Sequence, residues 1–431
     1  MTILIGAATA AHQIEGNNTN SDFWVLENIE NTTYKEPSLD AVDHYNRYKE
    51  DITLLKQAGL NAFRFSIEWA RIQPNKDAVD LKEIEHYRDV LKYCQSCGIT
   101  PVVTLHHFSS PKWLISEGGW EDRKTIGYFK KYAGIVMEHL GEYIPYVCTI
   151  NEANMGVQLN RIIEEFRKQA RKMSEKQNDV QVGVNLQHNK RELGAIEASE
   201  IFGVAPDKMA TFLYPRSEEG QKVIFESHTE ARNVIKKFDP NIKVGLTLSL
   251  YDYQTVGEYS SLADNLWQED YGQYLPYLAE DDFIGVQNYT RKLIEGGEIL
   301  DVPDTAIKTE MGNEFYPHSL ANVCRKVSET WHKEILITEN GVSSSDDSLR
   351  EKHIEVVMDD LKAILEAGIP VTGYLHWSLL DNFEWQLGFA QKFGLIEVDR
   401  ETMERKPKNS LWLLGRLGAT LNEQLEEAVT T

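Results

Sequence analysis

Two glutamates stand just past runs of β-branched residues, in Thr149-Ile150-Asn151-Glu152 and in Ile337-Thr338-Glu339-Asn340-Gly341. A single glutamate in such a place is ordinarily a helix N-terminal charge or an ion-pair partner. Two of them at equivalent strand ends support a more specific chemistry. Cleaving a glycosidic bond takes one carboxylic acid to protonate the leaving oxygen and one carboxylate to meet the oxocarbenium-like carbon, the two lying about 5–5.5 Å apart when configuration is retained.

Eight short strand-like runs can supply those ends: Ile3–Ala7, Asn61–Ser66, Thr100–Leu105, Tyr146–Ile150, Lys243–Leu248, Phe283–Gln287, Ile335–Thr338 and Val371–Leu375. Segments of helical period separate them. Tyr45, Tyr48, Ile52 and Leu55 step by three and four after the first run, and Ile354, Val357, Leu361 and Ile364 do so after the seventh. Repeated β-α units of this kind build a parallel sheet, either a closed (β/α)8 TIM barrel or a doubly wound open sheet. The position of the polar residues favours the barrel. His107, Asn151, Glu152, Tyr289, Glu339 and Trp377 all follow C-terminal strand ends, the face on which barrels assemble their sites.

The spacing predicts one domain over residues 1–431, interrupted by an elaborated βα loop at about 155–240. About ninety residues separate the fourth and fifth runs there, far more than an ordinary crossover. Helical patches run from Gly156 to about Lys176, from Asn189 to Phe202 and from Gly220 to Phe238, with a polar break at Gln177-Asn178-Asp179. Their low apolar content suits a loop rather than a domain with its own core.

Apolar residues make up 42% and charged residues 26% of the 431, enough for a large core without special stabilisers. No basic leader with a long apolar stretch and no membrane-length apolar run is present, and four cysteines make no disulfide framework, so the chain reads as soluble and cytoplasmic. Cys94 and Cys97 have C-x-x-C spacing, but Cys94 continues the apolar face Leu81, Ile84, Tyr87, Leu91 and no second pair completes a zinc set. A net charge of −22 without a sustained basic cluster argues against nucleic acid as a partner. No metal or organic cofactor is implied.

Long motifs in a fixed order add a resemblance. They are Ala8-Thr9-Ala10-Ala11-His12-Gln13-Ile14-Glu15-Gly16, Phe63-Arg64-Phe65-Ser66-Ile67-Glu68-Trp69-Ala70-Arg71-Ile72, Thr104-Leu105-His106-His107-Phe108, the two glutamate motifs, and Trp377-Ser378-Leu379-Leu380-Asp381-Asn382-Phe383-Glu384-Trp385. With these the chain resembles glycoside hydrolase family 1, the family of β-glucosidases and β-galactosidases. The resemblance implies a retaining β-glycosidase acting on a small-molecule glycoside, with Glu339 as nucleophile and Glu152 as acid/base. It further implies that Arg64 and Tyr289 flank the nucleophile, that Gln13, His107, Asn151, Glu384 and Trp385 hold the sugar, and that Trp377 is a platform for the leaving group. Phe108 stands where many members have Trp, and Gln287-Asn288-Tyr289 replaces the usual Asn-Tyr-Tyr.

Two rival readings exist. A 6-phospho-β-glycosidase would need donors for a phosphate, whereas Glu384 presents a carboxylate at the critical position. A sugar-binding barrel without catalysis would be expected to lack Glu152 or Glu339, and both are present. The segment from about Met155 to Tyr214 is expected to wall the mouth of the site.

Overall fold

Strands buried on both faces can satisfy their backbone only by pairing on both edges, and a closed parallel barrel does this for every one of them. The computed structural model, which describes residues 2–164 and 186–430, has that architecture. Its strands are β1 Leu4–Ala8, β2 Ala62–Ser66, β3 Thr100–His106, β4 Tyr146–Ile150, β5 Lys243–Ser249, β6 Phe283–Gln287, β7 Glu334–Asn340 and β8 Val371–Trp377. Each pairs in parallel with its sequence neighbours, and β8 closes on β1 from Gly373 opposite Leu4 to Trp377 opposite Ala8. The last two strands run two residues beyond the sequence reading, so Glu339 and Trp377 lie within strand ends rather than after them. Pairing persists there, as Glu339 opposite Gln287 and His376 opposite Asn340.

Helices α1 His44–Gln57, α2 Leu81–Ser96, α3 Lys124–Leu140, α4 Glu218–Phe238, α5 Ser261–Asp270, α6 Ser319–Ser328, α7 Asp347–Glu366 and α8 Asn409–Thr430 follow the eight strands in turn. Their boundaries have local causes. Asp80, Ser217 and Asp346 cap α2, α4 and α7 by accepting backbone N–H groups of the first turn. The apolar face of α7, with Ile354, Val357, Leu361 and Ile364, is buried as its period predicts. Inside the barrel, Ala8, Ala62, Val102, Cys148, Phe283, Leu336 and Leu375 pack into a floor beneath the polar C-terminal mouth. Cys94 is buried on α2, and the four cysteines are unpaired. Among the described residues no helix is long and apolar enough to cross a membrane.

The long connection after β4 begins as helix over residues 155–164 and resumes with the helix Leu186–Phe202. The polar break at 177–179 lies outside the described residues. Ala198 and Phe202 pack against Val25 and Ile115 in the connections after β1 and β3, so this segment shares apolar contacts with the barrel rim. The patch from Gly220 to Phe238 is the barrel's own fourth helix, which confines the elaboration to residues before Ser217.

One buried ion pair fastens the C-terminal region to the first helix. Arg405, on the short strand Arg405–Pro407, donates through Nε and Nη2 to Asp51 of α1 at 2.7 and 3.0 Å, and neither side chain is exposed. His44 Nδ1 lies 2.7 Å from the same carboxylate. Removing one partner of such a pair strands the other charge in low dielectric. Asp51→Ala is therefore expected to cost about 3–5 kcal/mol, measured as a lower urea midpoint at unchanged slope. A wild-type midpoint would contradict this account.

Candidate active site

At the C-terminal mouth the barrel holds a cavity of about 190 Å³. Eight of the ten residues singled out from sequence line it: Gln13, His107, Glu152, Tyr289, Glu339, Trp377, Glu384 and Trp385. The other two, Arg64 and Asn151, stand immediately behind the wall and are fully buried. Gln13 comes from the short helix Ala11–Ile14 after β1, and Glu384 and Trp385 come from the loop after β8. Arg64 lies in the middle of β2, and the remainder sit on or just past strand ends.

Arg64 organises the centre. Its Nη1 donates to Glu339 Oε1 at 2.7 Å, its Nη2 to Asn151 Oδ1 at 2.6 Å and its Nε to Thr104 Oγ1 at 3.0 Å. Tyr289 donates its phenolic hydrogen to Glu339 Oε2 at 2.6 Å, so both oxygens of this carboxylate are held. A bulge aims it. Between Ile337 and Glu339 the register of β7 against β6 shifts by one residue, which reverses the facing of whatever follows.

Glu152 has a different environment. Gln287 Nε2 donates to its Oε1 at 3.0 Å, and no cation is bonded to it among the described residues. Burial, then the charge of Glu339, push the Glu152 carboxyl up to about 8. Burial raises Glu339 as well, but there the Arg64 charge and the hydrogen bonds from Tyr289 and Arg64 act in the opposite sense. The proton of the pair therefore resides on Glu152. Burial and the Glu339 charge also raise Glu384, to about 7.

The wall carries hydrogen-bonding atoms that the protein itself does not satisfy. Gln13 Oε1, His107 Nδ1 and Glu384 Oε2 are enclosed yet have no partner among the described residues. His107 is held far below the ordinary histidine range by burial and then by Arg64, so its ring is neutral. Its Nε2 accepts from Asn151 Nδ2 at 3.1 Å, which leaves the ring hydrogen on Nδ1 free for a ligand. Unpaired polar atoms cost stability in an empty site and are offset when a ligand supplies the missing partners. Aromatic faces stand beside them: His107 lies 5.6 Å from Trp377 at 20°, and Trp385 stacks on His12 at 5.7 Å and 3°. Neutral, directional polar groups next to ring faces suit a hydroxyl-rich molecule with a C–H patch. Glu152, Phe108 and Trp385 all have left-handed backbone, with φ of 43°, 68° and 46°, a conformation that collects at functional sites.

Comparison with known proteins agrees. The profile of glycosyl hydrolase family 1 matches residues 2–419. The chain belongs to that family. It is 30% identical to β-glucosidase A of Thermotoga maritima, with 94% of each chain covered. It is 28% identical to a 6-phospho-β-galactosidase of Clostridium acetobutylicum, over 96% of this chain and 95% of that one. The solved β-glycosidase BGL167 superposes with a TM-score of 0.87 at 37% identity, covering 98% of this chain and 96% of that one. As a member of glycosyl hydrolase family 1 the protein is a glycoside hydrolase, a retaining β-glycosidase whose substrate is a carbohydrate.

Within this family 1 site two residues went unread in the sequence. Gln287 touches Glu152, and Thr247 on β5 accepts the Glu152 backbone N–H at 2.9 Å. The signal for Gln287 was its alternation with Tyr289, which puts both on the inner face. Trp377, within the end of β8, lines the inner cavity beside His107.

Gln287 and Tyr289 each donate to a carboxylate, so losing either donor disfavours ionisation of its partner. Tyr289→Phe is expected to move the acid limb of the kcat/KM profile to higher pH, and Gln287→Leu to move the basic limb to higher pH, each by about 1 unit. Movement of the opposite limb in either variant would refute the pairing.

Proposed function

We propose that the protein hydrolyses terminal β-D-glucosides by double displacement, with Glu339 as nucleophile and Glu152 as acid/base. The observation that carries the assignment is the unequal treatment of the two carboxyls. Arg64 and Tyr289 hold Glu339, whereas among the described residues the Glu152 carboxyl meets only a neutral amide. In the first step Glu152 gives its proton to the leaving oxygen while an oxygen of Glu339 bonds to the anomeric carbon and the glycosidic bond breaks. Esterification cancels the charge of Glu339, so the pKa of Glu152 falls. Glu152 then takes a proton from water, which attacks the same carbon from the other face and releases Glu339.

Gln13, His107, Asn151, Glu384 and Trp385 are assigned to the sugar in the inner cavity, and Trp377 to the platform on which the leaving group stacks. Glucose is supported by the β-glucosidases among the relatives. A phosphorylated sugar is disfavoured, because no Lys or Arg lines the inner cavity among the described residues and the Glu384 carboxyl stands in it. The same reading takes residues 1–431 as one barrel domain acting in the cytoplasm. The contacts of Phe202 with the rim and the four unpaired cysteines support it.

Rescue by azide tests the roles. Glu152→Ala spares glycosylation by good leaving groups, which need no proton, and leaves the second step slow. Azide needs no base, so it restores turnover and yields the β-glycosyl azide. Glu339→Ala removes the covalent intermediate, and azide entering the vacated space yields the α-azide. Exchanged products, identified by NMR, or rescue of neither variant would overturn the assignment.

A further inference from the structure

Asn340 follows Glu339 in the chain but turns away from the cavity and is enclosed behind its wall. The shift in register of β7 against both neighbours separates the two side chains, leaving Glu339 in the mouth and Asn340 toward α7. There the Asn340 amide is filled on both sides. Its Nδ2 donates to the Asn288 carbonyl at 2.7 Å, which fixes the orientation of the group, since a carbonyl can only accept. Its Oδ1 therefore faces two donors, His353 Nε2 on α7 at 2.9 Å and the Tyr374 hydroxyl on β8 at 3.0 Å. Tyr374 has one hydrogen to give, and the Asn340 oxygen takes it. His376 Nδ1, 3.0 Å from the same hydroxyl, then carries a hydrogen and donates in turn. Its Nε2, enclosed and without a partner among the described residues, keeps a lone pair.

Arg350 of the same helix and His376 of β8, its ring centroid 6.3 Å away, face His353. Burial, then the Arg350 charge, push the His353 ring down to about 3, and burial holds His376 far below the ordinary histidine range. Both rings therefore stay neutral while the two carboxyls of the site titrate. The outer bond has an inner counterpart. Asn340 and Asn288 are joined at 2.7 Å behind the wall, and the residues next to them in the chain, Glu339 and Tyr289, are joined at 2.6 Å in front of it. The Asn288 backbone N–H also donates to the Glu339 carbonyl at 3.3 Å. The ends of β6 and β7 are thus pinned on two faces, and the place of the outer bond decides the length of the inner one.

We infer that His353 and Tyr374 are positioning residues of the reaction, which by holding Asn340 set the place at which the Tyr289 phenol meets Glu339. This rests on the proposed role of Glu339 as nucleophile. Losing either donor frees the amide and lets the inner bond lengthen, so the charged form of Glu339 is less favoured. His353→Leu and Tyr374→Phe are each expected to move the acid limb of the kcat/KM profile to higher pH by up to about 1 unit, with the basic limb in place because Glu339 is ionised there. His353→Gln, which keeps an N–H at similar reach, is expected to restore the wild-type limb. Combined with Tyr289→Phe, neither variant should move the limb beyond the shift of Tyr289→Phe alone, since the bond through which they act is gone. Additive shifts would mark a general loosening of the site and overturn the inference, as would an acid limb unmoved in both single variants. Tyr374→Phe keeps the ring and carries the test if His353→Leu does not fold. An unmoved limb beside the azide products expected above overturns the inference alone, whereas exchanged azide products overturn the proposed function and the inference with it.

Discussion

The contact between Arg64 and Glu339 is the constraint from which the rest of the mouth follows. Neither side chain has appreciable access to water, and a charge in that position persists only if it is paired and its remaining hydrogen-bonding capacity is filled. The guanidinium meets the second requirement by reaching Thr104 on β3, Asn151 after β4 and the Thr338 carbonyl on β7, as well as the Glu339 carboxylate. One cation thus joins strands from different parts of the ring. Only a closed barrel brings those strand ends to a common point, and the apolar floor beneath them keeps the pair from being hydrated from below.

The second carboxyl inherits its behaviour from the first. Glu152 shares the enclosure without the cation, so the field of Glu339 acts on it with little screening. The asymmetry needs no unusual residue. It needs two like groups in one low-dielectric space with a single guanidinium on one side. Asn151 links the arrangement to sugar recognition, since it accepts from Arg64 and donates to His107. The orientation of a hydroxyl reader is therefore tied to the ion pair.

Most of this was legible in the sequence because the signals were local. β-branched runs of strand length gave the eight strands within a few residues, and the two glutamates declared themselves by following such runs. What could not be read depended on packing across elements. The bulge in β7 that turns Glu339 exists only in its pairing with β6 and β8. The bond from Gln287 to Glu152 spans 135 residues of sequence. The patch from Gly220 to Phe238 looked like part of a loop because its identity as the fourth barrel helix shows only in its packing on the barrel.

The left-handed backbone at Glu152 has a consequence for how this protein withstands mutation. An L-residue there gives up about 1–2 kcal/mol that glycine would not, and Phe108 and Trp385 are in the same position. Glycine at residue 152 would relax the chain and remove a buried ionisable group in one substitution. Thermal tolerance and turnover therefore pull against each other at this residue. In a library screened for heat resistance alone, chains without the acid would be enriched, and only a simultaneous demand for turnover keeps the carboxyl in place.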